Sequence, residues 1–377
     1  MKLFYLLFSA VLYVLSYSPF DYKILIFLSL FILLKVIEDI SLKHKIKYIF
    51  LYAFLIHMLG VSWVNESLMT YGLMDVAGSI IVTTFFIIII SIPYIIVALF
   101  HKPIKKNGIY NINLLAVSFL IAEYIKSLFF GGFPWLLIGN SQNGTILNYI
   151  YPVFGTYMVS YIVVLMSSLF YMSLYLKQKN YILLSVIFGS IYFSTYFQNN
   201  YKEVNYNDHI SFTIYQPNIY PDTTYDTNEY ENIVSQYIRF LEDKNPTDLT
   251  ILPETITPYI LSNNNELLEK IMKTSNKRNI IIAGFFTSSK NTYFNSMVFF
   301  SDKIDYYHKR KLVPFGEYTP WYDTFIKLSD SLDIPLSNLS HGPDSQKDIF
   351  FNNTKLLPLI CFESTFPKMI KSLIGLR

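Results

Sequence analysis

The chain has 377 residues, of which 52% are hydrophobic, 18% aromatic and only 15% charged, against roughly 25% charged in an ordinary soluble domain. That composition excludes a disordered chain, a collagen-like chain and a disulfide scaffold, and it argues against a purely soluble enzyme. The net charge of +3 leaves no polyanion-binding footprint, so no nucleic acid partner is expected, and the single cysteine, Cys361, excludes an internal disulfide and any Cys-rich metal site.

Charge is unevenly distributed. Residues 1–200 carry 12 Lys, no Arg and 6 acidic residues, whereas residues 201–377 carry the other 18 basic and 21 acidic residues. The first part therefore reads as a transmembrane helical domain, 1–200, and the second as a globular domain, 201–377. A span needs about 20 mostly apolar residues. Seven candidates occur in order: Leu3–Ser18, Ile24–Ile37, Tyr48–Val64, Val76–Phe100, Ile109–Ile125, Val153–Leu176 and Tyr181–Phe197. Pro93 is expected to kink the fourth. The first ends at Tyr17-Ser18-Pro19-Phe20 without a small-residue cleavage site, so it reads as a retained span.

Lysines mark alternate loops. Lys43, Lys45 and Lys47 lie between spans two and three, Lys102, Lys105 and Lys106 between four and five, and Lys177 and Lys179 between six and seven. The positive-inside rule places these loops and the N-terminus in the cytoplasm, and seven crossings then place the second domain on the opposite side, the periplasm of a bacterial inner membrane. Glu123, at the end of span five beside Gly132-Phe133-Pro134-Trp135, reads first as an interfacial carboxylate snorkelling to the headgroups and second as part of a membrane-surface motif, and Trp63, Trp135 and Trp321 read as interfacial anchors.

The second domain reads as α/β. Ser211–Tyr215, Asp248–Leu252, Asn279–Phe286, Asn295–Phe300, Lys303–Lys309 and Leu356–Ile360 are strand-like, and Asp226–Asp243 and Asn263–Lys273 have helical spacing. A βαβα start followed by a meander predicts a mixed sheet covered by helices. Glu254, Lys309 and Cys361 each end a predicted strand. Singly they read as a solvated loop acid, a wet basic run and an inert buried thiol. Together they form a chemical set: a thiol nucleophile that needs activation, a carboxylate to take its proton, and an ammonium to stabilise an oxyanion. The six His show no ligand spacing, so no metal is expected.

That order of Glu, Lys and Cys resembles the nitrilase, or carbon-nitrogen hydrolase, superfamily. More closely, the chain resembles the bacterial apolipoprotein N-acyltransferase family. The matching residues are Leu252-Pro253-Glu254-Thr255, Lys309 with Lys311-Leu312-Val313-Pro314-Phe315-Gly316-Glu317-Tyr318, Cys361-Phe362-Glu363 before Phe366-Pro367, and, in the membrane part, Gly132-Phe133-Pro134-Trp135 with Gly139-Asn140-Ser141-Gln142. The run Gln216-Pro217-Asn218-Ile219-Tyr220-Pro221 with Thr224-Tyr225-Asp226 departs from the family pattern by placing Tyr225 where a Trp is usual, and Phe362 stands where a Tyr is usual.

The resemblance implies an α-β-β-α sandwich after the membrane helices. It implies transfer of an acyl chain from a phospholipid, usually phosphatidylethanolamine, to the α-amine of the S-diacylglyceryl-cysteine that begins an apolipoprotein, with no cofactor and as a monomer. By the same carry-over, Glu254 is the base, Lys309 the oxyanion-stabilising group and Cys361 the nucleophile that becomes a thioester. Glu317 and Glu363 support the site, and Trp135, Tyr225, Phe315 and Phe362 contact lipid or substrate; Phe315, Tyr318 and Trp321 would form a lid or ordinary core. The family pattern continues beyond residue 377 with further catalytic-domain elements and a last span, so the catalytic domain is expected to be truncated, with unpaired sheet edges. Two other readings follow: an inactive remnant of such an enzyme, and a membrane-tethered nitrilase-type amidase.

Overall fold

The computed structural model describes the chain except residues 71–73, 106–107, 129–131, 179–180, 183–184, 187–188, 191, 193–209, 221–226, 244–246, 264, 291, 315, 319–337, 352–353, 367–368 and 371–377. It divides into two compact units, Met1–Ser67 with Asp75–Glu203 and Leu68–Met74 with Val204–Arg377.

The elements before residue 200 are helical: α1 (Lys2–Leu15), α2 (Leu25–Ile37), α3 (Leu42–Val61), α4 (Trp63–Thr70), α5 (Val76–Ser91), α6 (Ile95–Phe100), α7 (Gly108–Lys126) and α8 (Tyr151–Phe170). Small polar residues join the first three. The Ser9 and Ser29 hydroxyls each donate to the other's carbonyl at 2.7 Å, and Ser29 Oγ lies 2.8 Å from the Tyr52 hydroxyl. Such pairs let helix backbones approach where lipid supplies no hydrophobic drive. Pro93 interrupts the helix as expected, through a 3-10 turn at Ile92–Tyr94 between α5 and α6.

Three stretches are long and apolar enough to cross a membrane: Val76–Phe100, Gly108–Lys126 and Ile146–Tyr175. Leu42–Val61 with Trp63–Thr70, bent by 50°, makes a fourth if the pair counts as one. Among the described residues, then, three or four of the seven expected spans stand at full length. Lys2–Leu15 and Leu25–Ile37 are apolar, but at 1.5 Å per residue each reaches only about 20 Å against a hydrocarbon core of about 30 Å. The expected span Tyr181–Phe197 falls largely outside the described residues.

The second unit is built on a five-stranded sheet in the order β1 (Phe212–Ile214), β2 (Leu249–Ile251), β3 (Ile280–Ser289), β4 (Thr292–Phe300), β5 (Ile304–His308). The first three strands pair in parallel and the last two antiparallel. Helices α9 (Tyr230–Asp243) and α10 (Asn265–Thr274) supply the crossovers that parallel neighbours require. The period of two in β3 sorts its side chains. Ile281, Ala283 and Phe285 join Ile233, Tyr237, Leu241, Leu267 and Ile271 of the helices in one core. Ile280 and Ile282 face the other way, onto Phe299, Tyr307, Ile349, Phe351 and Ile360. Burial on both faces explains why β3 reads as a continuous apolar run. β1 leaves Phe212 and Ile214 exposed.

The expected strand Leu356–Ile360 is a correction. A hairpin of β6 (Ile349–Phe351) and β7 (Thr354–Leu356) takes only its first residue, and Cys361 opens a 3-10 turn instead of ending a strand. Pro358 has no N–H to give a ladder, so the apolar run is spent on packing Ile360 into the core.

One glycine sets the geometry around the end of β2. A Cβ on Gly284 would lie 2.5 Å from the Thr255 nitrogen, 2.6 Å from Glu254 Cα and 2.8 Å from the Pro253 oxygen. All three are backbone atoms, so no rotamer relieves the clash. Gly284→Ala is therefore expected to destabilise the second unit by about 1–3 kcal/mol, read as a lower denaturation midpoint. An unchanged midpoint would show that the segment after β2 can move away freely.

Candidate active site

The segment after β2 leaves the ladder without losing its hydrogen bonds. Leu252 donates to the Ile282 carbonyl at 2.8 Å, Gly284 donates to the Pro253 carbonyl at 3.0 Å, and Ile256 donates to the Gly284 carbonyl at 3.0 Å. Glu254 is thereby held across β3. Thr255 has φ 54°, a left-handed conformation unfavourable for a β-branched residue. Lys309 follows β5 directly. Its N–H donates to the Asn295 carbonyl at 2.8 Å, and its carbonyl accepts from Gly342 at 2.8 Å.

These two strand ends bring charges together. The Lys309 side chain is 1% exposed, and its Nζ lies 3.1 Å from Glu254 Oε1 and 2.9 Å from the Glu317 carboxylate. Burial acts to lower the Lys309 pKa, but Glu317 and then Glu254 outweigh it, and the ammonium is held above its ordinary value. Glu317 is itself fixed by the Val313 N–H at 2.8 Å. Asn295 Nδ2 donates to Glu254 Oε1 at 2.7 Å and to Glu317 Oε1 at 2.5 Å, so one amide tethers both carboxylates. One ammonium between two carboxylates leaves net negative charge at the site.

Cys361 is exposed and has φ 49°, a second strained residue at this site. Desolvation on its inner side and the Glu254 carboxylate push its thiol up. Lys309 and the Phe362 N–H pull it down, with Glu317 adding to the rise, and the outcome is above the ordinary value. Cys361 therefore rests as a neutral thiol that feels the Lys309, Glu254 and Glu317 charges.

Glu363 joins the Cys361 turn to the Lys309 strand. The carboxylate is fully buried and accepts from the Tyr307 hydroxyl at 3.0 Å on both oxygens, from the N–H of Arg310 at 2.6 Å and Lys311 at 3.2 Å, and from the N–H of Ile360 at 2.9 Å. A buried carboxylate persists only when so satisfied. Here the satisfying donors lie just after Lys309 and just before Cys361, so the same bonds fix the spacing of the two.

Other expected site residues make contacts of their own. Phe362 is half-buried, its ring edge-on to Phe366 at 5.0 Å. Tyr318 packs on His341 at 5.1 Å. Tyr225, Phe315 and Trp321 lie outside the described residues. Trp135 belongs to the first unit, 38% exposed, with its indole 5.3 Å from that of Trp63. Glu123 does not snorkel: it is fully buried, because the loop after α7 has backbone N–H groups to satisfy, and Glu123 Oε1 takes that of Ile138 at 2.6 Å. Among the described residues no group of His, Cys, Asp and Glu could hold a metal ion. Asn295 and Tyr307 were missed by the sequence reading. The one available signal for Asn295 was a polar amide in an otherwise apolar strand; Tyr307 gave none.

Two family models match this chain. Residues 9–169 match the apolipoprotein N-acyltransferase N-terminal domain and residues 212–373 match carbon-nitrogen hydrolase. Proteins named apolipoprotein N-acyltransferase are similar along nearly all of it: 27% identity with that of Haemophilus influenzae, covering 96% of this chain and 73% of the relative, 26% with that of Methylococcus capsulatus over the same shares, and 25% with that of Pseudomonas aeruginosa, covering 95% and 73%. With a helical first unit matching one model and a mixed sheet bearing Glu, Lys and Cys matching the other, the chain belongs to the apolipoprotein N-acyltransferase family within the carbon-nitrogen hydrolase superfamily.

Proposed function

We propose that this chain transfers an acyl group from a phospholipid, with phosphatidylethanolamine as donor, to the N-terminal amine of an S-diacylglyceryl-cysteine apolipoprotein. The observation that carries this reading is the buried Lys309 ammonium held between Glu254 and Glu317 beside the Cys361 thiol. Residues 1–200 form the membrane domain, with seven spans, and residues 201–377 the catalytic domain on the periplasmic side of a bacterial inner membrane, acting as a monomer. The lysine placement along the first part supports that orientation.

In this scheme the Glu254 carboxylate takes the Cys361 proton as sulfur attacks the acyl ester carbonyl. Lys309 donates to the oxyanion that forms. Collapse breaks the ester C–O bond, the lysophospholipid oxygen takes the proton from Glu254, and a thioester remains on Cys361. The amine of the acceptor then attacks the thioester, Glu254 removes its proton, the C–S bond breaks, and the cysteine sulfur is reprotonated as the amide forms. A thioester suits the sequence because it keeps the acyl group activated and offers sulfur as leaving group. Glu317 keeps Lys309 charged, and Trp135, Tyr225, Phe315 and Phe362 contact lipid.

Incubation of the membrane-embedded chain with phosphatidylethanolamine is expected to leave a hydroxylamine-labile acyl group on Cys361, absent in Cys361→Ser and discharged by a diacylglyceryl-cysteine peptide. Ammonia release from small amides without acylation would overturn the reading in favour of an amidase. The charge balance makes a sharper prediction. Glu254→Gln removes the second largest influence raising the thiol, so alkylation of resting Cys361 should titrate at lower pH than in the parent, while acyl transfer falls by about 10²–10⁴ for loss of a general base. Parallel changes in the two assays would remove Glu254 from that role. Tyr307→Phe, which takes one hydroxyl from Glu363, should cost about 1.5–3 kcal/mol of stability and slow thioester formation; full activity at unchanged stability would exclude the Glu363 clamp.

A further inference from the structure

Between α7 and α8 the backbone is irregular: residues 132–137 are coil and turn before a 3-10 turn at Ile138–Gln142. Irregular backbone within a membrane domain persists only where its polar groups find partners inside the protein. Here consecutive residues are each tied by a side chain from elsewhere. The carbonyls of Trp135, Leu136 and Leu137 accept from Lys126 Nζ at 2.7 Å, the Tyr13 hydroxyl at 2.9 Å and the Tyr17 hydroxyl at 2.8 Å. The N–H groups of Ile138 and Gly139 donate to Glu123 Oε1 at 2.6 Å and Ser160 Oγ at 2.8 Å. These five backbone groups are thereby satisfied inside the domain, although Leu136 adopts φ 50°.

Lys126 is the charged member of this cage and is 0% exposed. An ammonium has three protons to place, and three acceptors surround it: the Trp135 carbonyl, the Tyr94 hydroxyl at 3.3 Å and His57 Nε2 at 3.5 Å. The proton order behind it is self-consistent. With Nε2 accepting, the His57 proton sits on Nδ1 and goes to Ser91 Oγ at 2.9 Å, and the Ser91 hydroxyl donates its own proton to the Ile87 carbonyl at 2.7 Å. Glu123 lies one turn earlier on α7. A buried charge in a membrane domain is costly and implies a role. The atom it holds most closely is the backbone oxygen of Trp135, whose indole meets Trp63 at 5.3 Å and stacks near Phe133 at 6.3 Å, with Phe133 edge-on to Phe86 at 4.9 Å. Both indoles remain partly exposed, as interfacial aromatics that meet lipid do.

We propose that Lys126 is a positioning residue, whose buried ammonium fixes the Trp135 carbonyl and thereby the Trp63–Trp135 pair against the acyl chains of phospholipid. This rests on the acyltransferase reading above. The test compares the full chain with Lys126→Met in nanodiscs. In a Trp63→Phe, Trp321→Phe background, Trp135 fluorescence is read with phospholipids brominated on their acyl chains; in the otherwise unaltered chain, thioester formation is followed against phospholipid concentration. Lys126→Met should change the quenching and raise the phospholipid KM by about tenfold, equivalent to one charge-assisted hydrogen bond, with the acylation rate at saturation retained. Unchanged quenching and KM, or a fall in rate at saturation alone, would overturn the proposal. If Lys126→Met does not fold, Tyr13→Phe, which releases the adjoining Leu136 carbonyl, must move both readouts the same way by a smaller factor, and no movement overturns it equally. Should the parent chain form no thioester, the acyltransferase reading fails, whereas the quenching comparison needs no turnover and still decides the positioning.

Discussion

Burying an ammonium is the constraint around which the second unit is arranged. Lys309 has almost no contact with water, and an unmatched charge there would cost several kcal/mol. Of its matching carboxylates, Glu254 comes from 55 residues away, in the segment after β2, and Glu317 from eight residues on, in the segment after β5. To bring Glu254 there, the chain must cross β3 closely enough that only glycine fits at position 284. To keep two like charges side by side, Asn295 on β4 donates to both. The parallel-then-antiparallel sheet order makes this possible, since it sets β3 and β4 between the end of β2 and the end of β5.

Burial and the same charges decide how the thiol rests. Desolvation first, and then two carboxylates set against one ammonium, raise Cys361 rather than lower it, so this site does not store a thiolate. In the proposed scheme the proton leaves only when a substrate carbonyl is in place to receive the sulfur's electrons. That suits an exposed cysteine, because a standing thiolate would be alkylated or oxidised by whatever reached it. Glu363 contributes through placement: its four donors tie the Ile360–Cys361 turn to Tyr307 and the Arg310–Lys311 backbone.

How much of this was legible in the sequence depends on the range of the forces involved. The continuous apolar run of β3 and the helical spacing of α9 and α10 are local patterns and were readable; Glu254 and Lys309 stood out as ends of predicted strands, and Glu317 only through the family resemblance. Leu356–Ile360 misled because an apolar run satisfies a core as well as a strand, and the decisive feature was the missing N–H of Pro358. Glu123 misled because a carboxylate near a helix end snorkels only if nothing inside needs it; the N–H of Ile138 does. Asn295 and Tyr307 act across 41 and 56 residues of chain, a separation at which spacing carries no signal. Short apolar helices such as Lys2–Leu15 show the limit of hydropathy, which counts apolar residues without saying how many the helix retains.

Lys309 and Lys126 solve one problem in two solvents. Each is a buried lysine whose ammonium has its acceptors fixed around it. Around Lys309 they are carboxylates, so the lysine organises charge. Around Lys126 they are a carbonyl, a phenol and a neutral imidazole, so the lysine organises backbone. Lysine suits both better than arginine, because its compact head donates in three directions from one atom, whereas a guanidinium spreads five donors over a plane. The difference in ligands also explains the different neighbourhoods: a net negative cluster suits a site that must accept a proton, while a cage of neutral acceptors suits a loop that must stay still in an apolar surround. A chain with so few charges has placed two of its lysines where they cost most, once at the candidate chemistry and once beneath the Trp135 loop.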